Sequence, residues 1–153
     1  MQISPSTARR FVLTRQHLAG PRVAPTAAGI VRIVRDLKYV QLDPTSAVAR
    51  SHLLVLWSRL GPYDPAVLDR LLWKSRRLLE YSAFIVPAED YAIYRPRMRK
   101  FATGNSPWRR RVRAWMAKNS RLRRHVLTAL RSRGPLASDE FEDRAVLSWQ
   151  SSG

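Results

Sequence analysis

Apolar residues recur every three or four positions along most of the chain and alternate only in short stretches, a pattern that predicts a mainly α protein with minor β structure. Ser6 is a candidate N-cap for a first helix reaching about His17, with Ala8, Phe11, Val12 and Leu18 at helical spacing before Gly20-Pro21 ends it. A second helix, from about Thr26 to Leu37, gathers Ile30, Ile33, Val34 and Leu37 on one face. Tyr39-Val40-Gln41-Leu42-Asp43-Pro44 then alternates, and the proline favours an extended Asp43, so this stretch reads as a short strand. A third helix, about Ser51 to Leu60, carries Leu53, Leu54, Leu56, Trp57 and Leu60 and stops at Gly61-Pro62. Asp64-Pro65 opens a fourth, an acidic cap followed by proline at the first helical position, with Val67, Leu68, Leu71, Leu72 and Leu79 as its buried set. Leu78 to Pro87 reads as a strand or hairpin arm.

The second half has a different grammar. Helix resumes after Pro87, breaks near Thr103-Gly104-Asn105-Ser106-Pro107 and starts again. Arg121 to Leu130 is amphipathic, with Leu122, Val126, Leu127 and Leu130 expected inward; Gly134-Pro135 ends it, and Ser138 is expected to cap a further helix with Asp139 and Glu140 in its first turn. Helix, short extended segment and helix is the opening of a winged helix-turn-helix, yet its third helix and wing do not follow before Trp149-Gln150-Ser151-Ser152-Gly153. The expectation is a tandem winged-helix architecture: residues 1–94 as a first unit, 95–120 as a basic helical connector, and 121–153 as an incomplete second unit of a longer protein.

Charge narrows the partner. The chain has 28 Lys and Arg against 11 Asp and Glu, a formal charge of +17, and residues 95–133 hold 14 of those bases and no acid. With 45% hydrophobic residues the chain can form a core, so it is not a disordered basic tail. Arg109, Arg110, Arg111 and Arg113 are interleaved with Phe101, Trp108 and Trp115. Arginine forks suit phosphates and aromatic rings stack on bases, which favours nucleic acid over an acidic protein or an anionic membrane. The absence of cysteine excludes disulfides, thiolate metal sites and thiol nucleophiles, and no apolar run approaches the ~18 residues of a membrane span.

Few residues offer chemistry. Gln41 and Asp43, two apart on an extended chain, project from the same face while Leu42 faces the core. Such an amide and carboxylate can hold one water and offset the positive charge that develops on a sugar when an N-glycosidic bond breaks. The same residues also fit a plain structural role, with Asp43 capping the turn into Thr45-Ser46. His17 and His52 read as core or surface residues, the histidine spacing offers no metal motif, and Glu80, Glu89 and Asp90 read as a solvated turn. No glycine-rich phosphate loop occurs.

The run from Tyr39 to His52, followed by Leu56-Trp57-Ser58-Arg59-Leu60-Gly61-Pro62-Tyr63, resembles the winged-helix crosslink-repair DNA glycosylases of the YcaQ/AlkZ type. So do Ala8-Arg9-Arg10 with Gln16, Glu80-Tyr81, Tyr94-Arg95-Pro96-Arg97-Met98, and Gly134-Pro135-Leu136 with Phe141-Glu142-Asp143 and Trp149. The resemblance implies monofunctional excision of alkylated purines, N7-alkylguanine and interstrand crosslinks included, from double-stranded DNA without metal or cofactor. It also implies a cytoplasmic, nucleoid-associated protein with no membrane. Gln41 and Asp43 match the family's Gln-x-Asp form of the catalytic motif, and Arg50 and Arg97 join Arg109, Arg110, Arg111 and Arg113 as expected DNA contacts. The family usually follows Glu-Tyr with Trp-Ala-His, whereas Ser82-Ala83-Phe84 follows here. A member that has lost activity, or a non-catalytic winged-helix regulator, is the alternative.

Overall fold

The computed structural model describes residues 2–142, 144 and 145 of the chain. They fall into two compact units, Met1–Ile93 and Tyr94–Gly153. The protein is mainly helical with one small sheet.

The first unit is organised around α2 (Ala27–Leu37), which starts where Thr26 Oγ1 accepts a hydrogen bond from the Gly29 amide at 3.2 Å and buries Ile30, Val31, Ile33 and Val34. A residue with positive φ, Lys38 at 72°, turns the chain out of the helix and into β1 (Val40–Gln41). Helix α3 (Ser51–Leu60) brings Leu56 and Leu60 to the same core. Asp64 caps α4 (Pro65–Asp69) by accepting from the Ala66 amide at 2.9 Å, with Pro65 at the first helical position as expected. A π-helical turn, Arg70–Lys74, extends α4 and adds Leu71 and Leu72, whereas Leu79 lies on a strand. Strands β2 (Leu78–Tyr81) and β3 (Phe84–Pro87) complete an antiparallel sheet in the order β1-β3-β2, with Val40 opposite Ile85 and Gln41 opposite Phe84.

The N-terminal helix departs from the expectation. Helix α1 (Pro5–Arg15) is capped by Ser4, not Ser6; Ser4 Oγ accepts from the Thr7 amide at 3.1 Å, and Pro5, which has no amide hydrogen to satisfy, takes the first helical position. It buries no residue, and of the apolar residues at helical spacing Phe11, Val12 and Leu18 are exposed, Phe11 by 65%. Polar links fasten its end instead: the buried Arg59 donates from Nε to the Gln16 carbonyl at 2.9 Å, and His17 Nε2 lies 2.8 Å from Asp36 Oδ2.

The second unit contains α5 (Tyr91–Thr103), most of which falls within it, α6 (Pro107–Lys118) and α7 (Ser120–Arg133). Ser106 caps α6 and the break before Pro107 is where the sequence places it. Asn119, buried between α6 and α7, donates from Nδ2 to the Trp115 carbonyl at 3.1 Å and so fixes the corner. Neither α6 nor α7 has a buried residue; Leu122 and Val126 are half-buried, and Leu127 and Leu130 are exposed. The inward face expected of α7 therefore looks onto an apolar groove of about 660 Å³ lined by Trp108, Val112, Trp115, Met116, Leu122 and Val126. Ser138 heads only a short 3-10 turn, Ser138–Glu140, which Glu140 closes by accepting from the Ala137 amide at 2.7 Å. The expected motif at residues 149–153 lies outside the described residues.

The two apolar sets differ in consequence. Leu56→Ala, at a fully buried position, is expected to lower unfolding free energy by about 2–5 kcal/mol, and Phe11→Ala by no more than about 0.5 kcal/mol, in urea titrations of the whole chain. A loss at Phe11 as large as that at Leu56 would contradict the surface placement of α1.

Candidate active site

The sheet supplies one face on which polar and aromatic groups meet. Directly paired residues of antiparallel strands project to the same side, so Gln41, Phe84 and Tyr81 share a face through the pairs Gln41–Phe84 and Tyr81–Phe84. Val40 and Ile85 take the other side and are buried. Tyr39, two residues before Gln41, packs its ring against Phe84 with centroids 4.9 Å apart and planes at 71°. The ladder runs one step past β1, since the Leu42 amide donates to the Ala83 carbonyl at 2.8 Å. Burial alternates accordingly: Val40 is buried, Gln41 exposed, and Leu42 packed against the core. Ser51, first residue of α3, reaches back with its hydroxyl to the Gln41 carbonyl at 3.4 Å.

Asp43, beyond the ladder, is partly exposed and accepts from the Thr45 amide at 2.8 Å through Oδ1. The turn-capping role allowed by the sequence is therefore real. That bond and a second from the Thr45 side chain hold the Asp43 carboxyl below the ordinary carboxylate range, so it stays ionised at neutral pH. A carboxylate has about four acceptor positions, so Thr45 leaves capacity for a water.

The hairpin that presents Phe84 turns through Ser82 and Ala83, both with positive φ (51° and 64°). Two consecutive left-handed residues make the tight primed turn whose twist suits a hairpin, usually built from Asn and Gly. Here two residues with side chains carry that strain, which keeps the strands in the register that faces Phe84 to Gln41.

His52 lies in the first turn of α3, buried, with Nδ1 lacking any hydrogen-bond partner. Burial, then the nearby Arg50 charge, lowers its pKa, while Asp69 and Glu80 oppose that shift, so the ring is neutral at neutral pH. Glu89, read as part of a solvated turn, forms a two-pronged ion pair with Arg35 at 2.6 and 2.8 Å. Among the described residues no three His, Asp or Glu side chains cluster as a metal site requires, and no helix is long and apolar enough to cross a membrane.

The arginines expected to meet DNA are arranged in two ways. Arg50 and Arg97 are exposed. Arg109, Arg110 and Arg113 donate to the carbonyls of Lys100, Asn105 and Gly104, closing the loop between α5 and α6, and Arg109 also covers the Phe101 ring at 5.5 Å. A guanidinium has five donors, so these bonds order the side chains without exhausting them. Arg111 is exposed on the same helix. Sequence reasoning missed a second exposed basic set, Arg70, Lys74, Arg76 and Arg77 beside the half-exposed Trp73, because its charges are spread over a helix end and the following loop.

An amide and aromatic rings share one face of the sheet, with the Asp43 carboxylate just beyond it, in a chain of charge +17. The family is specific: the model of the DNA glycosylase AlkZ-like family matches residues 34–153, and the chain belongs to that family. No solved structure matches the chain.

Capping and charge at Asp43 separate experimentally. Asp43→Asn retains an oxygen for the Thr45 amide and is expected to lower Tm less than Asp43→Ala, which strands that amide. Equal melting of the two variants below wild type would show that the charge, not the turn bond, stabilises the loop.

Proposed function

We propose that the chain hydrolyses the N-glycosidic bond of alkylated purines in double-stranded DNA, N7-alkylguanines and interstrand crosslinks among them, with Gln41 and Asp43 as its reacting groups. The observation that carries this reading is the outward projection of Gln41 beside the ionised Asp43 at the end of a paired strand, in a chain of a DNA glycosylase family. From α2 onward the first unit runs helix, strand, helix, helix, strand, strand with sheet order β1-β3-β2, the order of a winged helix, and this supports the winged-helix reading of that unit.

The chemistry follows from charge. A base alkylated at N7 is cationic, so cleavage of its C1′–N9 bond sends the electron pair into the ring and releases a neutral purine; no strong general acid is needed. Positive charge then develops on the sugar, where the Asp43 carboxylate offsets it. Gln41 orients a water whose oxygen bonds to C1′, and Asp43 accepts its proton. Arg50, Arg97 and the arginines of α6 hold the phosphates.

The alternative, a DNA-binding regulator without excision, draws on the Thr45 bond that employs Asp43 as a cap. Asp43→Asn separates the two: it is expected to retain duplex binding and to lose release of N7-methylguanine by at least about 100-fold, since electrostatic groups of this kind contribute on the order of 10²–10³ in rate. Because the carboxyl pKa is lowered, wild-type excision is expected to stay flat through neutral pH and to fall only below the ordinary carboxylate range. No excision by either protein supports the regulator, whereas excision at the wild-type rate by Asp43→Asn removes Asp43 from the reacting pair. Replacing Arg109, Arg110, Arg111 and Arg113 with Ala is expected to reduce the salt slope of duplex binding by about 0.9 for each phosphate that is no longer neutralised. An unchanged slope, with helix content intact by circular dichroism, would remove these arginines from the interface.

A further inference from the structure

We propose that Tyr39 and Phe84 form the wall on which an extruded purine stacks, and that their rings select the cationic, alkylated base over its neutral counterpart. The proposal rests on the reading of Gln41 and Asp43 as the reacting pair and assigns residues outside the Gln-x-Asp motif to substrate choice.

Three observations converge. Tyr39 is 56% exposed although an aromatic ring of its size gains most from burial, and its edge contact with Phe84 at 4.9 Å fixes the pair without covering it. Phe84 is the direct cross-strand partner of Gln41, and Tyr39 precedes Gln41 by two residues, about 7 Å along an extended chain. Stacking area and carboxamide are thus within the span of one purine nucleotide. The Gln41 side chain makes no hydrogen bond among the described residues, so it is available to a ligand lying on that wall.

Chemistry chooses the occupant. An extruded base is held by stacking on aromatic side chains, and every base offers a π-face, so stacking alone does not discriminate. A positively charged purine gains in addition from the negative face of an aromatic ring. The ionised Asp43, two residues beyond Gln41, adds a negative charge that favours a cationic base. A neutral guanine receives the stacking without the added attraction of charge.

The test uses duplexes carrying N7-methylguanine or its neutral isostere 7-methyl-7-deazaguanine, each on a 2′-fluoroarabinose that resists hydrolysis. Wild type is expected to bind the cationic duplex at least about fivefold more tightly than the neutral one. Tyr39→Leu and Phe84→Leu are each expected to lower that ratio at least about twofold; Tyr39→Phe, which keeps the ring, retains it. Tyr39 is exposed, so its variants keep the test open if Phe84→Leu fails to fold. A ratio near one in wild type, or an unaltered ratio in Tyr39→Leu, overturns the proposal. Excision of the ordinary N7-methylguanine duplex by Asp43→Asn, measured in parallel, reports separately on the reacting pair: loss of excision with an unaltered ratio in Tyr39→Leu refutes the wall alone.

Discussion

The pairing of β1 with β3 is the constraint on which the rest of the first unit depends. It joins residues 40–41 to residues 84–85, bringing together stretches far apart in sequence, and the loop-closure entropy it costs must be recovered by burial. Val40 and Ile85 provide that burial as neighbours on the core side against α2, and pleating then obliges Gln41 and Phe84 to face the other way. The outward arrangement is a by-product of the inward one. A one-residue slip would bury the carboxamide and expose the aliphatic pair, so the core enforces the register of the site.

The second unit rests on a different balance. Its helices carry half the positive charge of the chain and bury no apolar side chain along α6 or α7. Guanidiniums that would otherwise repel one another bond to carbonyls of the last turn of α5 and the loop after it, and Asn119 closes the corner between α6 and α7. Such bonds order a basic surface in advance, which lowers the side-chain entropy left to lose in any contact made there. The apolar groove between α6 and α7 is the counterpart of that sparse core.

Much of this was legible in the sequence because local signals determined it. Thr26 before an apolar run, Asp64-Pro65, Gly61-Pro62 and Gly134-Pro135 each mark a helix end where the structure has one. The alternation through Gln41 also reads correctly as a strand. What escaped depends on distant partners. Ser82-Ala83 is not a recognised hairpin turn, so nothing local announces that Phe84 will face Gln41. The spacing of Phe11 and Val12 suits a core helix, yet both are exposed, and the residues that follow the helix are held by Arg59 and Asp36. His17 lacks an acid nearby in sequence but meets one 19 residues away. The caps of α1 and of the turn at Ser138 failed for a local reason: Pro5 favours the first helical position after Ser4, and Glu140 closes a 3-10 turn on the Ala137 amide before a longer helix develops.

The central claim is that the sheet face shared by Gln41 and Phe84 receives the substrate base. It is tested most directly by NMR of the whole protein, with side-chain amides and aromatic rings labelled, titrated with a duplex bearing a hydrolysis-resistant N7-methylguanine and with the same duplex undamaged. The account predicts that the damaged duplex alone shifts the Gln41 carboxamide and the Tyr39 and Phe84 rings, while both duplexes shift the arginines of α6. Shifts confined to the basic helices for both duplexes, with the sheet face unchanged, would contradict it.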